Sequence, residues 1–498
     1  MKLVSGLRRG SGLTSTKPEW RFRRTRFSIF LSALFFLCYA VFFVRMTRGG
    51  MESWFSQDDL LNLSYCWPRS LRELFGGILL ANNYSRPVGE LFYRALYSTF
   101  GFNPAPFNMA RLAFCCLNLV VLYTWARRIS GSREAGAIAL LLGGFHPAAA
   151  SLYFDTGMIF DVLAFFFYYS AFSVYLGGRR NGRFPGAVRT LCVVLLYVLA
   201  LGSKEIAVTF PIALLLFELT IGSAASPAPT WSVRTWWQRF VTVAITGLIT
   251  FVLVVRRTSG SEALSNNPAY HPVFSLSAYL RTYAHYLSDF GFVSPDVVVP
   301  LVPWILAGCV GVAVLARNRA LLWASLFNIF AILPIAFIPP RDGFAFAVPL
   351  AGWVIYLSVL ASVLIEAISL RSPLLRLPSR IAAVGAISLL ILRPEAAFMR
   401  NTLLPIIHGD QDLVREAHKS LRAVLPAKLT GKRILSLHDP FRNPYGMLFI
   451  LRLSYRDDSV TVDTARLPEQ QDPRGAEASY DYVLDHGAAG FFLAGSKH

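Results

Sequence analysis

Apolar runs of about 18–22 residues recur along most of the chain, and they limit its possible folds more than any other feature. A helix of about 20 residues crosses the hydrocarbon core of a bilayer. Because lipid offers no partner for open backbone groups, such runs must be helical. We predict an α-helical polytopic membrane protein with about eleven transmembrane helices. The spans fall near residues 27–44, 108–126, 135–152, 159–177, 188–202, 206–222, 240–255, 298–316, 320–338, 344–366 and 381–392.

The balance of charge agrees with a membrane protein. Charged residues make up 15% of the chain, whereas soluble domains carry about 25%. The net charge of +19 comes from Lys and Arg that gather in short loops between the apolar runs. Such clustering indicates membrane topology, with the basic loops in the cytoplasm, and no nucleic-acid partner is expected. The N-terminus is then cytoplasmic, and an odd number of spans places the C-terminus outside.

The same reasoning divides the chain into three parts. Residues 1–26 form a basic cytoplasmic tail. Residues 27–394 form the transmembrane domain, with two large external loops at 46–107 and 257–297. From 395 to 498 the charges return and strand-like runs alternate with helix-like runs, which predicts a small external α/β domain. Asp410-Gln-Asp412 resembles the metal-binding DxD of nucleotide-sugar transferases, but without a Gly-rich phosphate loop the pattern favours a solvated helix start.

Ionisable residues from several separate loops fall on the predicted external face. Such groups cost several kcal/mol at the edge of a membrane if they are unpaired, so they are functional candidates by default. The alternative is that neighbours pair off, Lys204 with Glu205 and Arg341 with Asp342. Contributions from five loops to one face favour a site. The candidates are Asp58, Asp59, Arg86, Glu90, His146, Asp155, Asp161, Lys204, Glu205, Arg281, His285 and Arg341.

This set of residues fits the use of a lipid-linked donor, because nucleotide-activated donors are absent outside the cytoplasm. A polyprenyl-phosphate sugar needs cations for its phosphate, and Lys204, Arg341 and His146 supply them. It also needs a carboxylate that takes a proton from the acceptor hydroxyl, a role for Asp58 with Asp59 beside it. The other candidates support the acceptor side. No cofactor is certain, and a divalent metal, Mg²⁺ or Mn²⁺ on Asp58 and Asp59, stays open.

At these residues the chain resembles the GT-C glycosyltransferases, above all the bacterial RgtA/B/C/D-like group and the O-mannosyltransferases that carry TPR repeats. The resemblance covers roughly residues 20–350. It is strongest over residues 85–150, which begin "SRPVGELFYRALYSTFGFNPAPFNMARL", and continues through "FDTGMIFDVLAFFFY" and "LALGSKEIAVTFPIALLLFEL". The family implies a catalytic base in the first external loop, which matches Asp58, and donor-phosphate cations that match Lys204 and Arg341.

Two segments depart from the pattern of the family. Phe344 and Phe346 stand where tyrosines are common, so those hydroxyl groups are missing. The turn after His-Pro lacks the usual Arg and keeps only the acid, Asp161. The resemblance implies transfer of a sugar from a polyprenyl-phosphate donor to a glycan, lipid or protein hydroxyl, with inversion because one displacement suffices.

Two other classes of function stay open at the level of sequence. A lipid or glycan transporter, or flippase, would need charges in mid-span and repeat symmetry. A non-catalytic scaffold would keep the fold and lose the activity, yet Asp58, Lys204 and Arg341 are all present. The compact chain with short loops indicates a multi-pass protein of the bacterial inner membrane, with the C-terminal domain periplasmic or extracellular.

Overall fold

The computed structural model describes residues 19–80, 86–179, 183–222, 232–259, 270–371, 404–464 and 479–496, with isolated positions between 372 and 403. Most of them are helical, and a small sheet lies near the C-terminus. The chain up to Met46 forms one compact unit, and Thr47–His498 form the other. The structure confirms the predicted fold class, a helical polytopic protein with a small C-terminal α/β domain. Most of the predicted tail 1–26 lies outside the described residues.

Helices account for nearly all of the described chain before residue 372. Up to residue 222 they are α1 Glu19–Thr47, α2 Gln57–Cys66, α3 Leu71–Leu80, α4 Pro87–Phe100, α5 Pro104–Ser130, α6 Arg133–Gly143, α7 Ser151–Phe154, α8 Ile159–Gly178, α9 Ala187–Ser203 and α10 Phe210–Phe217. Further along they are Val233–Thr258, Leu276–Gly291, Pro295–Val298, Val302–Leu315, Arg319–Ala331, Leu333–Ala336 and Ala347–Arg371. Short 3₁₀ turns join several of them.

Within the described ranges, eight helical segments are long and apolar enough to cross a membrane. The chain is therefore a multi-pass membrane protein. These segments are Ser32–Met51, Pro104–Ser130, Thr156–Gly178, Glu205–Gly222, Val233–Thr258, Pro295–Leu315, Arg319–Ala336 and Gly343–Ile368. Each of them corresponds to one of the spans that the sequence predicts.

Three of the predicted spans are not among these eight segments. The run 135–152 forms the shorter helix α6, which ends at Gly143 and is followed by a 3₁₀ turn that begins at Pro147. Glycines lower helix stability and proline lacks a backbone donor, so this run cannot continue as one helix. The run 188–202 forms α9, which has 17 residues. The last run, 381–392, falls mainly outside the described residues, so the count of eleven stays a prediction.

Large aromatic side chains fill the centre of the bundle. Trp125 of α5 is fully buried and packs against Tyr169 of α8, with ring centroids 4.2 Å apart. Trp323, on the helix Arg319–Ala331, meets the same indole edge-on at 5.5 Å. Rings of this size each bury about 150–250 Å² and hold a fixed relative geometry. These contacts pack α5, α8 and the helix Arg319–Ala331 against one another, and α8 carries the candidate Asp161.

A buried ion cluster joins α8 to the end of the segment Glu205–Gly222. The Glu218 carboxylate has no exposed surface and accepts hydrogen bonds from Arg179 Nε at 2.7 Å and Tyr175 Oη at 2.7 Å. Arg239 Nε adds a third at 3.0 Å. A buried carboxylate is tolerable only with such partners, because its loss of water is costly. The cluster ties three helices together near the predicted cytoplasmic loops.

Replacing Glu218 by Gln should therefore destabilise the fold. The side chain keeps its size but loses its charge, which removes the carboxylate that pairs with the buried Arg179 guanidinium. Removing one partner from a buried pair costs about 3–5 kcal/mol. Thermal unfolding of the purified protein in detergent should show a large fall in midpoint. Glu366→Gln, at an exposed position, should leave the midpoint unchanged, and equal midpoints for the two variants would contradict the expectation.

The C-terminal domain is a four-stranded sheet with two described helices. The strands are β1 Arg433–Ser436, β2 Thr461–Thr464, β3 Tyr482–Gly487 and β4 Gly490–Ser496, in the order β2-β1-β3-β4. β1 is parallel to β2 and β3, whereas β3 and β4 form an antiparallel hairpin. Leu404–Val424, called here the docking helix, packs on β4, and Gly446–Tyr455 lies between β1 and β2 in the chain. Both helices also contact α2.

Candidate active site

The helix α2, which carries the two adjacent acids, begins at a capping box. Ser56 is the N-cap, and its hydroxyl accepts a hydrogen bond from the Asp59 N–H at 3.3 Å. In return, the Ser56 N–H donates to Asp59 Oδ2 at 2.9 Å. This exchange satisfies two backbone donors that a helix start would otherwise leave open. The local sequence Ser-x-x-Asp therefore fixes where α2 begins and which way its first turn faces.

Asp59 is fully buried and committed to structural contacts. Besides the capping box, its Oδ1 accepts a hydrogen bond of 2.6 Å from the Tyr93 hydroxyl of α4. Burial raises the pKa of Asp59 well above the ordinary value, and the nearby charge of Asp155 raises it further. A carboxyl group without water access, and with both oxygens bonded, is not placed to receive a proton from a substrate.

Asp58 differs from its neighbour in almost every respect. It lies about 100° further round the same helix and its side chain is exposed. Within the described residues, no hydrogen bond or ion pair reaches its carboxylate. The adjacent turn Thr156–Met158 leaves space for it, because a Cβ on Gly157 would lie 3.3 Å from the Asp58 Cβ. Asp58 therefore offers a carboxylate that a ligand can reach.

Charged groups from four other segments lie around Asp58. The pKa of Asp58 is raised, first because the surrounding protein takes water from the carboxyl and second because of the charge of Asp410. Lys204 and Arg442 lower it, and Asp342 raises it further. The carboxylate is thus accessible to solvent, yet it lies in a recess where the charges of other elements reach it.

Asp155 connects this recess to the capping box. Its Oδ1 accepts hydrogen bonds from the Ser56 hydroxyl at 3.0 Å and from the Gly157 N–H at 2.8 Å. Burial, with a smaller contribution from the charge of Asp58, raises the pKa of Asp155 to about 6, although both hydrogen bonds act in the opposite direction. Asp155 therefore holds α2 against the turn that precedes α8, beside the accessible acid.

Lys204 stands at the junction of α9 and the segment Glu205–Gly222. Its Nζ donates to Asp161 Oδ2 at 2.6 Å and lies 5.0 Å from the centroid of the Phe344 ring. Asp161 is buried, whereas the Lys204 side chain keeps 17% of its surface exposed. An ammonium group has three donors, so the contact with Asp161 orients Lys204 and leaves capacity for an anionic ligand.

Glu205 does not pair with Lys204, which was the alternative considered for these neighbours. It accepts a hydrogen bond from Arg86 Nε at 3.1 Å and a shorter one from Arg257 Nη1. Arg257, at the end of the helix Val233–Thr258, is buried. Sequence reasoning did not find Arg257, because nothing in the local pattern links it to a residue 52 positions earlier. The ion pairs Arg86–Glu205 and Arg257–Glu205 together place several charges beside α4.

Arg341 lies in the segment between the last two long helices. Its guanidinium packs 4.4 Å from the centroid of the Tyr270 ring. The Arg341 N–H donates to the Tyr286 hydroxyl, and its carbonyl oxygen meets His285 Nε2 at 3.2 Å. Tyr270 is also within electrostatic range of Arg86. Tyr270 is therefore in contact with Arg341 and close enough to Arg86 to affect it electrostatically.

The other candidates have more clearly structural surroundings. His146 is buried between Phe290 and Phe292, and both of its ring nitrogens lie 3.2 Å from backbone groups. Glu90 is buried at the start of α4, where its carboxylate accepts a hydrogen bond of 2.8 Å from the Arg86 N–H. Arg281 is exposed on the helix Leu276–Gly291. The structure thus does not bring Arg281, Glu90 and His146 together at the recess beside Asp58.

The C-terminal domain supplies two residues that the sequence analysis did not assign to the site. Asp410 is not at a solvated helix start, because it lies in the second turn of the docking helix and is half-buried. Its two carboxylate oxygens accept hydrogen bonds from the Gln57 N–H at 2.9 Å and from Gln57 Nε2 at 2.5 Å. Arg442, in the loop after β1, is exposed and affects Asp58 electrostatically.

The acids do not fit a metal site. Asp59, one of the two residues considered for a divalent ion, uses both oxygens to accept hydrogen bonds from Ser56 and Tyr93. Across the described ranges, no group of three or more His, Cys, Asp or Glu side chains is arranged to hold a metal ion. We therefore assign no step to a metal.

An apolar cleft lies next to the charged region. It has a volume of about 510 Å³ including the solvent at its mouth, and it is lined by residues of α5, α6 and α8 and of the helix Ala347–Arg371. His146 lines it, as does Val162, the residue after Asp161. A second, smaller cleft lies beside Asp289 and Phe290. Neither Asp58 nor Lys204 lines these two clefts, so Asp58 is open to solvent rather than to them.

Comparison with known proteins gives a likeness in structure only. No protein-family profile matches the sequence, and no curated protein matches it. The chain is similar to ArnT from Cupriavidus metallidurans bound to undecaprenyl phosphate, with 13% identity and a TM-score of 0.47 over 90% of this chain and 88% of that one. For ArnT in the apo state the values are 14%, 0.45, 87% and 86%. At this identity and TM-score the likeness carries no functional argument for this chain.

Proposed function

We propose that this chain is a membrane glycosyltransferase that moves a sugar from a polyprenyl-phosphate donor to an acceptor hydroxyl at the non-cytoplasmic face. The observation that carries the proposal is the contrast between the two adjacent acids. Asp59 is buried and bonded on both oxygens, whereas Asp58 is accessible and lies within electrostatic range of Lys204 and Arg442. An accessible base beside cations is what transfer from a phosphate-linked donor requires.

The reaction uses one base and at least two cations. Asp58 accepts the proton of the acceptor hydroxyl, and the resulting oxygen attacks the anomeric carbon of the donor sugar. The new C–O bond forms as the bond between that carbon and the phosphate oxygen breaks, so the polyprenyl phosphate leaves with the electron pair. One displacement inverts the anomeric configuration. Lys204 and Arg341 meet the growing negative charge on the phosphate.

Supporting residues hold this arrangement in place. Asp161 orients the Lys204 ammonium through the hydrogen bond of 2.6 Å. Glu205 holds Arg86 near Tyr270, on which Arg341 packs. Asp155 fixes the turn beside Asp58. These residues surround the proposed acceptor and donor sites. Glu90 joins this group through the Arg86 N–H and His285 through the Arg341 carbonyl oxygen, and we assign no role in transfer to His146 or Arg281.

The positions of charge favour an enzyme over a carrier. A transporter places ionisable groups near the middle of the bilayer at broken helices. Among the described residues of the spans, the buried charges lie around Glu218, around Asp161 with Glu205, and at Arg111, which is two turns into Pro104–Ser130. A non-catalytic scaffold would not need an accessible carboxylate surrounded by the charged groups of other segments.

An assay in proteoliposomes tests the proposed function. The purified chain would be supplied with a radiolabelled polyprenyl-phosphate sugar and a cell-envelope extract as acceptor. Release of free polyprenyl phosphate, together with label in a larger product, is the expected result. A nucleotide sugar offered in the same vesicles should give no product. Equal use of the two donors, or no product from the lipid-linked donor, would overturn the proposal.

The rate of transfer should depend on pH through Asp58. A general base works when it is deprotonated, so turnover should rise with pH as the Asp58 carboxyl ionises. Because burial and Asp410 raise the pKa of Asp58, the midpoint of this rise should lie above the ordinary aspartate value of about 4. A profile of kcat against pH between 4 and 8 measures it. A flat profile, or a midpoint at or below 4, would contradict the role of Asp58.

A further inference from the structure

The residue immediately before the proposed base is held by the C-terminal domain. The Gln57 N–H and Nε2 donate to the two oxygens of Asp410, at 2.9 and 2.5 Å. The Asn443 N–H, from the loop after β1, donates to Gln57 Oε1 at 3.1 Å. These three hydrogen bonds, called here the Gln57 clamp, join residues that lie more than 350 positions apart in the chain.

Contacts on either side of the Gln57 clamp extend it into an interface. On the docking helix, Gln411 is buried and its Nε2 donates to the Phe154 carbonyl at 2.7 Å, one residue before Asp155. Arg415 Nη2 donates to the Glu52 carbonyl at 2.9 Å. The docking helix therefore contacts both segments that lead into the recess.

A second set of contacts joins the C-terminal domain to α4. The Tyr97 hydroxyl of α4 donates to the Leu453 carbonyl at 2.7 Å, and Arg456 Nη2 donates to the Tyr97 carbonyl at 3.2 Å. These bonds attach the helix Gly446–Tyr455 to α4, which also carries Tyr93. The C-terminal domain is thus anchored to the bundle both at the start of α2 and at α4.

We propose that the C-terminal domain is a working part of the transfer site, in which Gln57, Asp410 and Asn443 position the Asp58 carboxylate for deprotonation of the acceptor. This inference rests on the proposed function. The N–H groups of the first helical turn lack partners within the helix. Asp410, from another domain, accepts a hydrogen bond from one of them, the Gln57 N–H. Its negative charge also suits the positive end of α2. Misplacement of a reacting group by about 1 Å can cost about 10²-fold in rate.

Asp410 also affects the charge environment of the base. Asp58 is faced by Lys204 after α9, Asp342 before the helix Ala347–Arg371, Arg442 after β1 and Asp410 on the docking helix. Asp155 lies on its other side. Removing the charge of Asp410 takes away one of the groups that disfavour ionisation of Asp58. The Asp410→Asn variant should therefore ionise Asp58 at a lower pH than the wild type.

The Gln57 clamp allows a rescue experiment. In Gln57→Glu, the new carboxylate faces the carboxylate of Asp410. In Asp410→Asn, the side-chain amides of residues 57 and 410 face each other and cannot satisfy all three hydrogen bonds. In the double variant the pattern is complete again: the new amide at position 410 accepts from the backbone N–H of residue 57 and donates to the new carboxylate. The other oxygen of that carboxylate accepts from Asn443. Each single variant should lose about 10- to 100-fold in kcat with little change in KM for the donor, and the double variant should recover most of it.

The pH profile and hydrogen exchange separate positioning from general damage. Asp410→Asn should move the acid limb of the kcat profile to lower pH, while the double variant, which keeps one negative charge beside Asp58, should move it back. Exchange of the backbone amides of residues 52–60 in the purified full chain should become faster in each single variant and return towards the wild-type rate in the double variant. Glu416→Gln, further along the same helix and exposed, should change neither readout.

The outcomes distinguish this inference from the proposed function. Unchanged exchange of residues 52–60 in both single variants would overturn the Gln57 clamp, whether or not the protein transfers sugar. Faster exchange with unchanged kcat would show a contact that does not position the base, and would also overturn it. If the wild type itself failed to transfer sugar from a lipid-linked donor, the proposed function would fail, and positioning of a base would fail with it even though exchange still revealed the contact.

Discussion

Replacing Asp58 by Asn should reduce the turnover of sugar transfer by about 10²–10⁴-fold, the range that a positioned general base contributes. The amide has nearly the shape of the carboxylate but cannot accept the proton of the acceptor hydroxyl. Because donor binding depends on cations elsewhere, KM for the donor should change little. Initial rates with radiolabelled donor in proteoliposomes measure both parameters. Turnover at the wild-type level would remove Asp58 from the mechanism.

Asp59→Asn is the matched control, because the two acids are adjacent and differ only in their surroundings. Within the described residues nothing donates a hydrogen bond to Asp58, so Asp58→Asn should leave the unfolding temperature unchanged. Asp59 accepts hydrogen bonds from Ser56 and Tyr93 in a buried position, and an unsatisfied donor there costs about 1–3 kcal/mol. Asp59→Asn should therefore lower the unfolding temperature. If Asp58→Asn lowered the unfolding temperature and Asp59→Asn did not, the roles of the two residues would be exchanged.

The long helices were predictable from sequence because a bilayer imposes one length and one composition on them. The run Val233–Thr258 is a direct example, since its residues 240–255 include no charged residue and no proline. The run 135–152 is different, because its apolar composition hides a break at Gly143 and Pro147. Composition over a window does not show where a helix ends inside it. Reading the glycines and proline as stops would have shortened this span.

The different roles of Asp58 and Asp59 could be read from the sequence only in part. Both acids belong to one helix turn, and the pattern Ser-x-x-Asp is a local signal that Asp59 caps the helix. The burial of Asp59 and its hydrogen bond from the Tyr93 hydroxyl, 34 residues further on, come from tertiary packing. The same holds for Lys204, whose neighbour in sequence is Glu205 but whose partner in space is Asp161. Neighbours in sequence do not pair here, because α9 ends at Ser203 and the side chains of Lys204 and Glu205 then make different contacts.

The role of the C-terminal domain was the feature that the sequence could least predict. Asp410 lies 353 positions from Gln57, and the pattern around it, Asp-Gln-Asp, is indistinguishable from an ordinary polar helix surface. Only docking of the domain on α2 gives the two aspartates different environments, one bonded and half-buried, the other exposed. The contrast between Asp410 and Asp412 is thus a product of tertiary packing, which no local pattern contains.

Replacing Lys204 by Met should reduce transfer by about 10²–10³-fold, the range seen when one group that stabilises developing charge is removed. The ammonium is held by Asp161 at 2.6 Å and lies within electrostatic range of Asp58. Met keeps the length and the apolar stem of the side chain, so packing against Phe344 survives. The loss should appear in kcat and in binding of the donor phosphate. Lys204→Arg, which keeps the charge, should retain more activity.

A fall in activity alone would not identify the role of Lys204, because its removal also leaves Asp161 buried without its partner. Breaking such a pair costs about 3–5 kcal/mol in the interior of a protein, and Lys204→Met should therefore unfold at a lower temperature. The double variant Lys204→Met, Asp161→Asn removes both charges and should recover much of that stability. If Lys204 meets the charge of the leaving phosphate, the double variant should stay inactive despite its recovered fold. Recovery of activity together with stability would show that Lys204 serves only to neutralise Asp161.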